Sequence, residues 1–264
     1  MPPLLNALEP RSWPLLILVS GRVVGMLMIA PLWSLGSIPG KIRGALGLVI
    51  ALLLVPLMPP LEMPSEVIGV PIMLGSEILL GVTIGLSAAV FLHGVALAGE
   101  VIAMQMGLSL GAALGVGDLG SPGVGELETL FTLALYVGIG GHLMLIATVG
   151  NSFIAIPPGA PIDLAGGARA MIHLAGSLFG VAARIAAPAI AALLLTNIAL
   201  AILNKAVPQL NTMMVAFPVT IGLGLLVLAA SLPFVATYVT NWAGGLGALA
   251  DRVVDPFIIL APVR

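Results

Sequence analysis

The stretch "QMGLSLGAALGVGDLGSPG", Gln105 to Gly123, places Gly115, Gly117 and Gly120 at the G-x-G-x-x-G spacing of a dinucleotide-binding turn. Its reading decides between an α/β fold and something else. A cofactor turn needs a strand delivering the chain to the first glycine, a helix after the third, and an acidic residue about twenty positions further on. Glu126 and Glu128 come too early, the twentieth position beyond Gly120 is Gly140, and Val101–Leu114 shows neither a β-branched run nor period-two alternation. The motif is a spacing without its context, and no cofactor is expected.

Outward from this stretch, the chain is apolar almost everywhere. Of its 264 residues 60% are hydrophobic and 8% charged, with a mean hydropathy of +1.21, whereas soluble domains carry about 25% charged residues. That charge cannot cover a water-facing surface. Since lipid satisfies no backbone polar group and the alternation of a barrel strand is absent, the sequence predicts an all-α membrane protein. A net charge of −2 argues against nucleic acid, which requires a basic surface. With no cysteine, neither a disulfide framework nor a thiolate site can be built. Trp13–Leu35 is too long for a signal-peptide core and is interrupted by Arg22, so it reads as mature structure.

Seven apolar segments are expected: Trp13–Leu35, Gly44–Leu61, Val67–Leu92, His93–Leu114, Leu127–Val149, Ala170–Leu203 and Thr212–Val239. Turn signals separate them at Ser37–Gly40, Pro59-Pro60, Gly120–Gly123, Pro157–Gly159 and Pro208, so neighbours should form helical hairpins within a single membrane domain, 1–264. Ala170–Leu203 exceeds one span and contains Pro188, which predicts two segments or a strong kink; Pro56, Pro71, Pro218 and Pro233 interrupt other runs. Broken helices at membrane depth survive when buried in protein, so assembly with partner subunits is expected. Seven Gly-x-x-x-Gly pairs (Gly21/Gly25, Gly36/Gly40, Gly40/Gly44, Gly81/Gly85, Gly107/Gly111, Gly111/Gly115 and Gly176/Gly180) point to close helix packing.

Four charges lie inside apolar runs: Arg22, Glu77, Glu100 and Arg184. Each costs at least about 2.5–3.5 kcal/mol at a helix centre, which predicts buried charges that either pair and fix packing or line an ion path. Pairing is favoured, since no acidic residues cluster as a proton relay would require. His142 reads as structural, and His93, His142 and His173 are too scattered to suggest a metal. Lys41 and Arg43 place the first connection in the cytoplasm by the positive-inside tendency.

The stretches "GEVIAMQMGLS" (Gly99–Ser109) and "LNKAVPQLNTMMVAFPVTIGLG" (Leu203–Gly224) resemble the FliR family of flagellar type III export proteins. Supporting matches are "RVVGMLMIAP" (Arg22–Pro31), "SIPGKIRGALGL" (Ser37–Leu48), "EILLGVTIGL" (Glu77–Leu86) and "GHLMLIATVGNSFIAIP" (Gly141–Pro157). Met104-Gln-Met-Gly107 stands where injectisome relatives carry a sequence close to D-N-Q-R-G, which favours the flagellar branch.

The resemblance implies a non-enzymatic export-gate subunit of the bacterial inner membrane and flagellar basal body. It implies assembly with FliP and FliQ homologues, contact with FlhB and FlhA, and passage of unfolded substrates. It further implies that residues 107–123 form a glycine-rich loop plugging the channel, with Gly107, Leu108, Gly111, Gly115, Gly117, Asp118, Gly120 and Pro122 as its gating residues. The family's Asp-Pro pair is not kept: Asp118 precedes Leu119 and Pro122 is displaced. Gln105, Met106, Pro208, Gln209 and Asn211 become assembly motifs, the last three in a structural turn. A secondary transporter is the competing reading, but it would usually show internal repeats. An intramembrane enzyme would need a nucleophile and base within reach, and there is no H-E-x-x-H.

Overall fold

A computed structural model describes residues 12–34, 38–58, 69–107, 124–207, 212–244 and 254–258. The described residues are helical and contain no strand. Seven α-helices follow in order: α1 Trp13–Ile29, α2 Gly40–Leu54, α3 Gly69–Gln105, α4 Val124–Gly138, α5 Gly141–Ala155, α6 Leu164–Ala206 and α7 Thr212–Gly244. Short 3-10 turns lie at Val55–Leu57 and Asp255–Phe257. Among the described residues, four helical stretches are long and apolar enough to cross a membrane, or five if α4 and α5 count together.

The segmentation differs from the sequence reading in three places. Val67–Leu92 and His93–Leu114 are not two segments, because α3 runs unbroken for 37 residues from Gly69 to Gln105. The expected division of Ala170–Leu203 is likewise absent: α6 continues through Pro188 for 43 residues. The run Leu127–Val149, by contrast, is broken at Gly140, whose φ of +75° carries the chain out of α4 and into α5. Proline removes one backbone hydrogen bond, but an apolar environment offers the remaining groups no partner outside the helix, so the helix persists around it. Pro218 and Pro233 also lie inside α7. Pro71 falls in the first turn of α3, where its missing N–H costs nothing, while Pro56 sits in the 3-10 turn ending α2. At 1.5 Å per residue α3 and α6 measure about 55 and about 65 Å, so neither fits within a hydrocarbon layer about 30 Å thick even with a 40° tilt.

The contacts divide the chain into two compact units, residues 1–90, 137–175 and 242–264 in the first and 91–136 and 176–241 in the second. In the first, Val19, Val23, Met26 and Leu27 of α1 meet Leu80 and Ile84 of α3 and Leu145, Val149 and Phe153 of α5. Glycine sets the α1–α3 approach. A Cβ at Gly25 would lie 2.6 Å from the Ile78 carbonyl oxygen and one at Gly85 2.6 Å from that of Met26, while one at Gly81 would collide with the Arg22 carbonyl. The two expected pairs, Gly21/Gly25 and Gly81/Gly85, are thus the two sides of one crossing. Asp163 opens α6 by accepting the Ala165 N–H at 3.0 Å, and the buried Phe257 ring covers Gly167.

In the second unit, Val95, Ala98 and Ile102 of α3 and Ile185, Ala189 and Leu193 of α6 are buried, with Val235 and Val239 of α7. Gly94 admits Val181, Gly99 admits Gly125, and Phe91 stacks on Tyr238 with centroids 5.5 Å apart.

Candidate functional site

Two polar arrangements stand out, one in each unit. In the first unit Arg22, fully buried on α1, donates from Nε to Glu77 Oε2 at 2.7 Å. Its Nη1 donates to Ser152 Oγ and its Nη2 to the Ile156 carbonyl, both at 3.0 Å, and its guanidinium lies 4.1 Å from the centre of the Phe153 ring. The other Glu77 oxygen accepts the Gly159 N–H at 2.9 Å, and Gly159 reaches it through a positive φ of 76° in the Pro157–Gly159 turn. One ion pair therefore ties α1, α3, α5 and the turn before α6 together. With both Glu77 oxygens engaged, the arrangement is suited to holding geometry rather than to passing protons.

In the second unit the end of α3 is clamped. Met106, 1% exposed, fills the notch left by Gly224 on α7, and its carbonyl lies 3.3 Å from the Thr220 hydroxyl, which also reaches the Ala216 carbonyl of its own helix at 2.9 Å. Gly107 then turns with φ +80° beneath the Phe217 ring. This is a left-handed helix end of the kind glycine favours, and the half-buried Gln105 precedes it. The clamp fixes where the glycine-rich segment departs. Sequence reasoning named Gln105, Met106 and Gly107 but gave Thr220 and Gly224 no role, because their contact spans more than a hundred residues. Leu108, Gly111, Gly115, Gly117, Asp118, Gly120 and Pro122 lie outside the described residues, as do Pro208, Gln209 and Asn211. The helix before Pro208 ends at Ala206.

The glycines of the dinucleotide spacing, Gly115, Gly117 and Gly120, and the residues that lead to them lie outside the described residues. Gly107-Leu-Ser-Leu-Gly111 matches the letters of G-x-S-x-G, but a nucleophile elbow joins a strand to a helix, and the element delivering the chain to Gly107 is a helix.

Of the four charges expected to be buried, the structure buries Arg22 and Glu77. Glu100 and Arg184 are exposed on the surface of this chain. Periodicity within one apolar helix does not say which face its own chain covers. The buried acid that was missed is Glu128 of α4, 2% exposed, with no hydrogen-bond partner for either carboxylate oxygen among the described residues. Its carboxylate lies against the bare face of Gly99, and Thr132, one turn on, is fully buried with its hydroxyl also unmatched. Because an unsatisfied buried group costs about 1–3 kcal/mol, Glu128→Met is expected to leave stability unchanged or raise it by up to that amount. Thermal denaturation in detergent measures the change. A loss above about 1 kcal/mol would show that the carboxylate has a partner in the assembled protein. His142, half-buried, meets the edge of Trp33 at 6.4 Å, and His93 and His173 are exposed.

Residues 13–245 match the family model described as bacterial export proteins, family 1. The chain is 31% identical over 236 residues to the flagellar biosynthetic protein FliR of Escherichia coli (strain K12), covering 89% of this chain and 88% of that one. It is 29% identical over 238 residues to FliR of Pectobacterium carotovorum subsp. carotovorum, with the same coverage of each chain. Against FliR of Bacillus subtilis (strain 168) identity is 25% over 236 residues, 87% of this chain and 90% of the relative. With nearly its whole length matched and an all-helical, apolar structure to go with it, the chain belongs to the bacterial export proteins, family 1, the family of FliR.

Proposed function

We propose that this protein is a membrane subunit of the flagellar type III export gate, forming and closing a path for unfolded flagellar proteins together with FliP and FliQ homologues and in contact with FlhB and FlhA. The residence that goes with this role is the bacterial inner membrane at the flagellar basal body, and the role is not enzymatic. Family membership across residues 13–245 carries the reading. The surface supports it: Ile172, Phe179 and Leu195 on α6 and Met214, Leu226 and Phe234 on α7 are all at least half exposed. Helices too long for the bilayer with such faces require protein cover as well as lipid.

Within that role the segment 107–123 is the plug of the closed channel. The clamp at Met106, Gly107, Thr220 and Gly224 supports this by giving the segment a fixed root. Deletion of residues 108–123 is therefore expected to leave complex yield within about twofold of wild type and to make the membrane leaky to ions and small solutes, because a lining helix, not the plug, holds the assembly together. Ion conductance in cells with matched complex levels is the measurement. A tight membrane at those levels would remove the plug and leave the gate-subunit reading standing. A chain that purifies equally monodisperse alone and with FliP and FliQ homologues would remove the gate-subunit reading itself.

A further inference from the structure

The outer face of α6 carries one charge in an unlikely place. Arg184 lies near the middle of the 43-residue helix, its side chain exposed and in no ion pair among the described residues. The opposite face, with Ala182, Ile185 and Ala189, is packed into the second unit. Around Arg184 the surface is shallow: Gly180 is one turn before it, Ala187 and Pro188 one turn after, all exposed, and a Cβ at Gly180 or Gly176 would meet nothing within 4 Å. Pro188 has no N–H, so the Arg184 carbonyl lacks its i+4 helical donor.

A guanidinium in an apolar surface is costly unless a carboxylate or a headgroup meets it. A hydrocarbon layer about 30 Å thick centred on α6 would put the side chain about 15 Å from either interface, beyond the reach by which an arginine stem extends to it. The small residues on either side admit a helix backbone more closely than bulky neighbours would. We propose that the Arg184 face of α6 is the docking surface for a helix of another gate subunit bearing an aspartate or glutamate at the level of Arg184. This rests on the gate-subunit reading above and adds the face and the chemistry of the contact. The pair would be a bidentate guanidinium–carboxylate bond, desolvated by the surrounding apolar surface.

The test uses the full chain co-expressed with its FliP and FliQ homologues. Arg184→Met is expected to reduce co-purified partner by about tenfold or more, Arg184→Lys to retain most of it, and Arg184→Glu to abolish it, since an unpaired buried charge is worse than none. A photoreactive phenylalanine analogue at Leu195, exposed three turns along on the same face as Arg184, identifies the helix in contact. The proposal expects that helix to hold an acid at the level of Arg184, about 17 Å along from the crosslink, and exchange of that acid for Lys to restore binding to Arg184→Glu. Unchanged yield with Arg184→Met, a crosslink to lipid alone, or a crosslinked helix without an acid each overturns it. In those cases the wild-type complex still forms and the gate-subunit reading survives. A wild-type chain recovered with no partner at all overturns both.

Discussion

Replacing Arg22 by Met, or Glu77 by Met, is expected to destabilise the folded protein by about 3–5 kcal/mol each, with the double replacement recovering most of the loss. The asymmetry follows from burial: Arg22 is 0% and Glu77 1% exposed, so removing either leaves a full charge in an apolar interior. Removing both leaves unbranched apolar side chains of similar length and strands only three neutral groups, the Ser152 hydroxyl, the Ile156 carbonyl and the Gly159 N–H. Ser152 retains its bond to the Val149 carbonyl, which limits the damage. A double-mutant cycle on thermal denaturation of the detergent-solubilised complex reads the coupling directly. Single variants within about 1 kcal/mol of wild type would show that the pair does not fix the fold. Normal complex yield with lost proton-dependent export in the Glu77 variant would assign the pair to an ion path instead.

Gly81→Val should be nearly as damaging, at about 3 kcal/mol or more, because the new atoms would meet backbone and not a yielding side chain. A Cβ at this position would collide with the Arg22 carbonyl and approach the Met26 nitrogen at 2.9 Å, so α1 and α3 must separate or shift register. Separation also pulls Arg22 from Glu77, coupling this change to the first. Gly75, on the same helix but exposed, has nothing within 4 Å of where its Cβ would be. Gly75→Ala is therefore expected to stabilise α3 by about 0.5–1 kcal/mol through reduced chain entropy. Denaturation midpoints of the two variants, measured side by side, test the contrast. Equal effects would mean that the α1–α3 crossing does not depend on close backbone contact.

Much of the candidate site was legible before any coordinates. The apolar run, however, reads as continuing to Leu114, and only the family resemblance places a loop from Gly107 on; the helix ends at Gln105, and the positive φ of Gly107 is the physical need that glycine meets there. The sequence favours pairing of the buried charges over an ion path, but which charge meets which is not legible in it, since 55 positions separate Arg22 from Glu77 and no local periodicity relates residues so far apart. Glu128 was invisible as a site because its neighbours Glu126 and Leu127 suggest the polar start of a helix, and only packing against Gly99 buries it. Thr220 and Gly224 sit in a quoted motif, but what they hold comes from the far side of the chain.

Composition alone determined that this chain is all-α and lives against lipid or apolar protein, because backbone groups without water must bond within their own helix, whatever the partner. Which apolar helix is interior and which is surface was decided only by tertiary structure. The most apolar windows of α3, α6 and α7 are similar in character, yet 72% of the first is buried and 22% and 17% of the others. Hydropathy records the cost of exposing a side chain to water. It does not record what covers it, and for α3 that cover is this chain itself, admitted by glycines that let helix backbones touch.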